Sequence, residues 1–490
     1  PFPALYPILP EAEHSITTRM IQPSILLKLE TKSDWCKAAL GIVAIGTGFY
    51  IGSKLLCYRT HTDTEKYKLG NGESEVKVLL MEHEQEIMAM MPAVSTITRY
   101  NSTGAALETY LREKVTEIIL RNPWLTGRLH KNSSDGMYLS YDPNIPSASK
   151  TAIDALVAMH FRVEENFELP EGLSFDELVT RFIHFQVNKG NDCANKPDEV
   201  LFKVCLVKIR DSKDVVLVFS LSHVLGDGYT FYTLHNMLDR STPVTSLGVV
   251  RHTDFKSQLG VLLGQKYVNW IHSPLVLFGL IACSIFRGPM QLHIVEVDNA
   301  WIEQQKKFFL ERKKAQVDAD LEQGGFVSTN DILTAWHNKH CHSDFALMAC
   351  NLRNRVSTYT DKMAGNYENS IVYNKRNGHT PEAVRQSLST FRNASNTMPS
   401  MLQTLLWNGS LTTNWSSFYK QIDLSDASTG VQCAYIAHIP IVLSADVLVW
   451  RECLISFKLD ANRTGLLIAT RSMKKEFLES CGIGRIITTF

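Results

Sequence analysis

His223, Asp227 and Gly228 stand in the order His-x-x-x-Asp-Gly at the end of the apolar run 215–222. An imidazole with its ordinary pKa of about 6.5 is mostly a free base at neutral pH. It can take the proton of a hydroxyl or amine as that group attacks an activated acyl carbon, so His223 is the candidate general base. A carboxylate four residues on can anchor the turn through an ion pair, and a glycine after it permits close backbone approach. Asp227 is therefore expected to support the motif rather than react. The tetrahedral intermediate of acyl transfer also needs a hydrogen-bond donor for its oxyanion. A hydroxyl or amide on Thr412, Thr413 or Asn414, or the backbone N–H of Gly228, could supply it.

The elements around the motif are those that would hold an imidazole at a strand end. Residues 200–209 and 215–222 flank the polar turn 211–214 and read as a β-hairpin, its second arm apolar on both faces as in a sheet interior. After Gly226 and Gly228 the apolar positions Phe231, Leu234, Met237 and Leu238 follow helical spacing. Strand and helix patterns alternate irregularly elsewhere. Leu107, Leu111, Val115, Ile118 and Ile119 mark an amphipathic helix, and Ser174 and Ser328 each open a capping-box pattern. The order predicts an α/β protein with mixed sheets. The motif alone arises by chance in roughly one such chain in twenty, so its neighbours have to carry part of the weight.

Other chemistries find little support. There is no G-x-S-x-G or G-K-[ST] loop, and Gly46-x-Gly48 opens no nucleotide-binding unit. His337, His340 and His342 lie close together, but only Cys341 could join them as a further ligand. They read as a solvated helix end, and no metal site is expected. Lys plus Arg and Asp plus Glu both number 50, so no net field draws a polyanion, and nucleic acid is not an expected partner. The ten cysteines are scattered singly in apolar surroundings and read as buried thiols.

Hydropathy adds a membrane. Residues 1–34 are irregular and rich in Pro, Ser and Thr. Residues 35–59 contain the uncharged stretch 38–53, which with Leu55 and Leu56 beyond a snorkelling Lys54 approaches the length of a bilayer span. A buried amphiphilic helix is the alternative, since four glycines dilute the run. A second apolar patch, 275–286, is too short to span alone and reads as either a core helix or an interfacial one. A membrane-associated protein of an endomembrane or organelle, a plastid included, is the expectation. Any targeting peptide is not visible in a chain that begins at Pro1.

On these residues the sequence resembles the coenzyme A-dependent acyltransferase superfamily, which includes chloramphenicol acetyltransferase, the plant BAHD acyltransferases, wax ester synthases and peptide-synthetase condensation domains. The resemblance spans residues 76–478. Residues 122–129, Asn-Pro-Trp-Leu-Thr-Gly-Arg-Leu, resemble an early signature of the family. The stretch from Asn351 through Arg353 to Arg355, followed by Gly365 and Asn366, is similar to the plant enzymes' R-x-R and G-N pair, and Thr413-Asn414-Trp415 to their t-s-W strand. Two departures are Ser222 in place of a first histidine and Asp423-Leu-Ser-Asp426 where plant members carry DFGWG. The resemblance implies two chloramphenicol acetyltransferase-like subdomains, 75–290 and 291–490, around a central tunnel, behind an N-terminal anchor-like helix. It implies an acyl-CoA co-substrate with no tightly bound cofactor, and transfer to a hydroxyl, less readily an amine. The apolar segments suggest a lipophilic alcohol as acceptor. A catalytically silent interaction subunit, docked in a membrane assembly through the apolar N-terminal helix, is the alternative.

Overall fold

The hairpin around the motif is the centre of a five-stranded sheet in a computed structural model of the chain. The structure describes residues 66–68, 74–103, 106–252, 254–286, 290–316, 326–374, 376–392, 397–428, 430–441 and 450–487. The expected N-terminal segment 1–34 and the apolar segment 35–59 lie outside the described residues.

Phe202–Ile209 and Asp214–Leu221 pair antiparallel, and every residue of the second strand is buried, as its unbroken apolar sequence requires. Val94–Thr103 lies on the other side of Asp214–Leu221, and Phe161–Phe167 extends the sheet in parallel beyond Phe202–Ile209. The fifth strand, Gln432–Ile441, comes from the far end of the chain and pairs with Val94–Thr103 across a bulge between Tyr435 and Ala437. The segment 291–490 thus lends one strand to the five-stranded sheet of 75–290, and the described residues belong to one compact unit.

A seven-stranded sheet runs in the order Glu368–Asn374, Phe345–Asn351, Gly409–Asn414, Glu452–Lys458, Thr464–Thr470, Gln291–Val297, Gly484–Ile486. Its middle strand pairs are parallel and the remainder antiparallel. A four-stranded sheet, Lys66–Lys68, Ser74–Leu79, Gly136–Tyr141, Arg128–Asn132, completes the mixed α/β architecture. Ser174 and Ser328 form both reciprocal bonds of a capping box, which start the helices Phe175–Phe182 and Thr329–His340.

The apolar patch 275–286 forms the helix Pro274–Phe286. Val276, Leu280 and Cys283 recur at helical spacing and enter a core shared with Trp270, Phe345 and Trp407. Among the described residues no helix is long and apolar enough to cross a membrane. Gly279 is buried against the short helix Met401–Leu406, so close that a β-carbon there would overlap the Thr404 carbonyl oxygen. Gly279→Ala is expected to force the two helices apart and destabilise the protein by about 1–3 kcal/mol. Urea unfolding checks this, and an unchanged midpoint would contradict the packing described.

Candidate active site

The last strand residue, Leu221, hands the chain to a tight turn in which Ser222 N donates to Leu201 O at 2.8 Å and Leu225 N to Ser222 O at 2.9 Å. His223 sits in that turn, half-buried. Asp227 caps the helix Gly228–Asn236, accepting from Thr230 N at 2.9 Å. Its other oxygen accepts from Arg353 Nη1 at 2.7 Å in a fully buried ion pair.

Arg353 comes from the opposite half and is saturated. Its five N–H groups go to Met363 O, Asp227, Asn351 Oδ1, Thr230 Oγ1 and Gly365 O. The Gly365 carbonyl also accepts from Asp227 N and Thr230 Oγ1. At φ 135° Gly365 occupies backbone space that a side chain disfavours, which is what lets its carbonyl turn back into this cluster.

The neighbouring residue, Asn366, touches the imidazole. Its side-chain Nδ2 lies 2.8 Å from His223 O and 3.1 Å from Glu84 Oε1, two groups that can only accept. That end of the amide is therefore the NH2, and Oδ1 faces His223 Nδ1 at 3.1 Å. An amide oxygen accepts, so Nδ1 carries the proton and Nε2 keeps its lone pair. Nε2 has no partner among the described residues. Burial lowers the His223 pKa below its ordinary value, opposed by its own backbone carbonyl, Asp227, Asn366 and Glu84. At neutral pH the ring is a neutral, singly oriented base.

Glu84 holds Asn366 in turn. It is wholly buried, accepts from Asn366 N at 3.0 Å, from Met81 N at 3.0 Å and from Arg251 Nε at 2.8 Å. Burial alone would raise its pKa, but Arg251, His83 and the Met81 N–H outweigh that and hold it below the usual value. Neither Glu84 nor Arg251 stands in a motif; their partnership across 167 residues has no local spacing to reveal it. His83 also reaches this network, donating from Nε2 to Asn366 O at 2.9 Å.

Gly228 has a steric reason. A β-carbon there would lie 3.0 Å from Trp415 Nε1, so the indole rests on the glycine itself. Trp415 follows the strand Gly409–Asn414, where the three residues of sequence interest separate. Thr412 is buried and hydrogen-bonded to His337 Nδ1 at 3.2 Å, on the side covered by the helix Thr329–His340. Asn414 Oδ1 accepts from Ser416 N and Oγ and from Ser456 Oγ, which closes the strand end. Thr413 points the other way by strand alternation. It shares its face with Leu411 and Trp415, which pack toward the core of the five-stranded sheet. Thr413 is half-buried and makes no side-chain hydrogen bond among the described residues.

The reading of residues 337–342 as a solvated helix end is corrected at its first member. His337 is fully buried because its ring fills the space between helix and sheet and finds Thr412 there. Burial pushes its pKa down to about 3. His342 is exposed and His340 half-buried.

No protein-family model matches the chain, and no curated protein sequence matches it. Solved structures do. The trichothecene 15-O-acetyltransferase TRI3 from Fusarium sporotrichioides superposes with a TM-score of 0.54 at 11% identity, covering 86% of this chain and 96% of that one. TRI101 of F. graminearum, complexed with coenzyme A and deoxynivalenol, gives 0.53 at 11% identity over 82% and 98%. The chain has the mixed α/β fold of the coenzyme A-dependent, chloramphenicol acetyltransferase-like acyltransferases. At this identity the likeness speaks for the fold.

Two substitutions probe the site's construction. Glu84→Ala strands the buried Arg251 and frees the Asn366 amide, and a loss of about 3–5 kcal/mol is expected in denaturant unfolding. Gly228→Val drives Trp415 off the helix start, and the intrinsic fluorescence of the folded variant should shift accordingly; an unaltered spectrum would show that the indole is not seated there.

Proposed function

We propose that the protein is an acyltransferase that moves an acyl group from acyl-CoA to the hydroxyl of a lipophilic alcohol, with His223 as general base. The observation that carries this reading is the hydrogen-bonded tautomer of His223: Nδ1 is committed to Asn366, and Nε2 keeps its lone pair with no partner among the described residues.

In the reaction Nε2 takes the hydroxyl proton as the oxygen attacks the thioester carbonyl, forming the carbon–oxygen bond. The negative charge then sits on the former carbonyl oxygen, for which the donors we assign are the Thr413 hydroxyl and the Gly228 N–H. Collapse of the intermediate breaks the carbon–sulfur bond, and the proton on Nε2 passes to the departing thiolate of coenzyme A. Asp227 contacts no reacting atom. It positions the turn through Arg353 and Thr230. The two substrates would approach His223 from opposite sides of a tunnel.

The coenzyme A donor is supported by the fold, since TRI101 was solved with coenzyme A bound. The lipophilic acceptor and a membrane location, in an endomembrane or organelle, are supported by the apolar stretch 38–53. They are supported also by Met401, Leu402 and Leu406, which are 65, 65 and 53% exposed on the helix beside Pro274–Phe286.

His223→Ala, assayed for acyl transfer from long-chain acyl-CoA to a panel of lipophilic alcohols, should lose about 10²–10⁴-fold in rate; undiminished transfer would overturn the base assignment. No transfer by either form would favour the silent interaction subunit. For the active enzyme, kcat/KM should rise with pH and level off, because a protonated ring cannot act as base. The midpoint of the acid limb should fall below about 6.5, since burial lowers the His223 pKa. A midpoint above that value would contradict it.

A further inference from the structure

Six buried carboxylates are described in this protein, Glu84, Asp214, Asp227, Asp239, Asp331 and Glu452, and each has an Arg or Lys nitrogen within 4.0 Å. Glu368, at the site, is half-buried rather than buried and has no such nitrogen among the described residues. It lies two residues beyond Asn366, at the start of the edge strand Glu368–Asn374, and its carboxyl makes no hydrogen bond or ion pair among the described residues.

Strand register gives its direction. Glu368 is opposite Asn351, and along the same ladder Val372 is opposite Leu347, which in turn pairs with Leu411. Glu368 therefore shares a sheet face with Leu411 and Thr413, the face on which Leu411 packs toward the core of the five-stranded sheet, and Asn366, two residues earlier, places its side chain against His223. The helix carrying His337 covers the other face.

The charges that reach Glu368 are those of Asp227 and Arg353, with the Cys350 thiol on the neighbouring strand. Arg353 cannot become its partner, because all five of its N–H groups are already bound. Burial, reinforced by Asp227 and only partly offset by Arg353, pushes the Glu368 carboxyl up to about 8. In the empty site at neutral pH it holds its proton.

Resting on the acyl-transfer reading of this site, we propose that Glu368 binds the acceptor and that the acceptor carries a protonated amine in addition to its hydroxyl. The amine supplies the one cation that the protein's own paired charges leave out. Its arrival stabilises the carboxylate and displaces the proton from Glu368, while the hydroxyl is left for His223.

The test compares 1-octanol with 8-(dimethylamino)-1-octanol, whose tertiary nitrogen forms no stable amide, using the full chain and acetyl-CoA. The wild-type protein should favour the amino alcohol by about tenfold in kcat/KM, chiefly through KM. In Glu368→Gln the ratio of the two should fall to within about twofold of one. Calorimetry without acyl-CoA, repeated in buffers of different ionisation enthalpy at pH 7, should show that the amino alcohol releases about one proton on binding the wild type, 1-octanol none, and Glu368→Gln none with either. Equal preference in the two proteins, or binding of the amino alcohol to the wild type without proton release, would overturn the proposal. The wild-type comparison needs no variant to fold. Absence of transfer to both alcohols counts against the acyl-transfer reading, while the calorimetry still decides the role of Glu368.

Discussion

The orientation of a single amide, that of Asn366, determines what the His223 imidazole can do. With its NH2 held by the His223 carbonyl and Glu84, it can offer the ring only an oxygen, and the ring must answer with a proton on Nδ1. Reversing the amide would put two donors against Nδ1 and turn the ring to the other tautomer, with its proton on Nε2. Glu84 can impose this orientation because Arg251 keeps it ionised in a place where a lone carboxylate would neutralise. The order of dependence runs from a buried ion pair to an amide to an imidazole, and each member comes from a different part of the chain.

A second brace acts from the other side. Asp227 and Arg353 tie the start of the helix Gly228–Asn236 to the Gly365 carbonyl, one residue from Asn366. The segment that carries Asn366 is therefore gripped twice. Removing two ions from water is expensive, and an apolar pair of the same volume could be as stable. An apolar pair, however, could not fix the direction of a hydrogen bond, which is what the neighbouring histidine requires.

Elements were legible in the sequence where their signal is local. The hairpin at residues 202–221 could be read because a strand buried on both faces is an unbroken apolar run bounded by a polar turn. The helices opening at Ser174 and Ser328 could be read because a capping box needs four residues only. His223 stood out through the spacing of its own motif, and Arg353 and Asn366 through resemblance. Glu84 and Arg251 did not stand out, since nothing near Met81 or Val249 in the sequence says that the two will meet. The direction of Thr412 and Thr413 was equally hidden. Alternation separates their faces, but only the packing of the helix Thr329–His340 tells which face is covered. The burial of His337 is hidden for the same reason: a histidine near the end of a polar-looking helix reads as solvated until the threonine across the interface is known.

The charge balance around His223 leaves its buried imidazole neutral, the form that the proposed base role requires. Two acids and two arginines cancel pairwise, so the ring is governed mainly by its own loss of water, which favours the neutral form. An unpaired carboxylate in the same space would oppose this by stabilising the imidazolium and would weaken the lone pair on which proton abstraction depends. Glu368 avoids that conflict while it holds its proton. Were it to give the proton up to the proposed cationic acceptor, the new charge would arrive already compensated. On that proposal the site would add one acid to its recognition surface without protonating the imidazole, provided that ionisation and acceptor binding occur together.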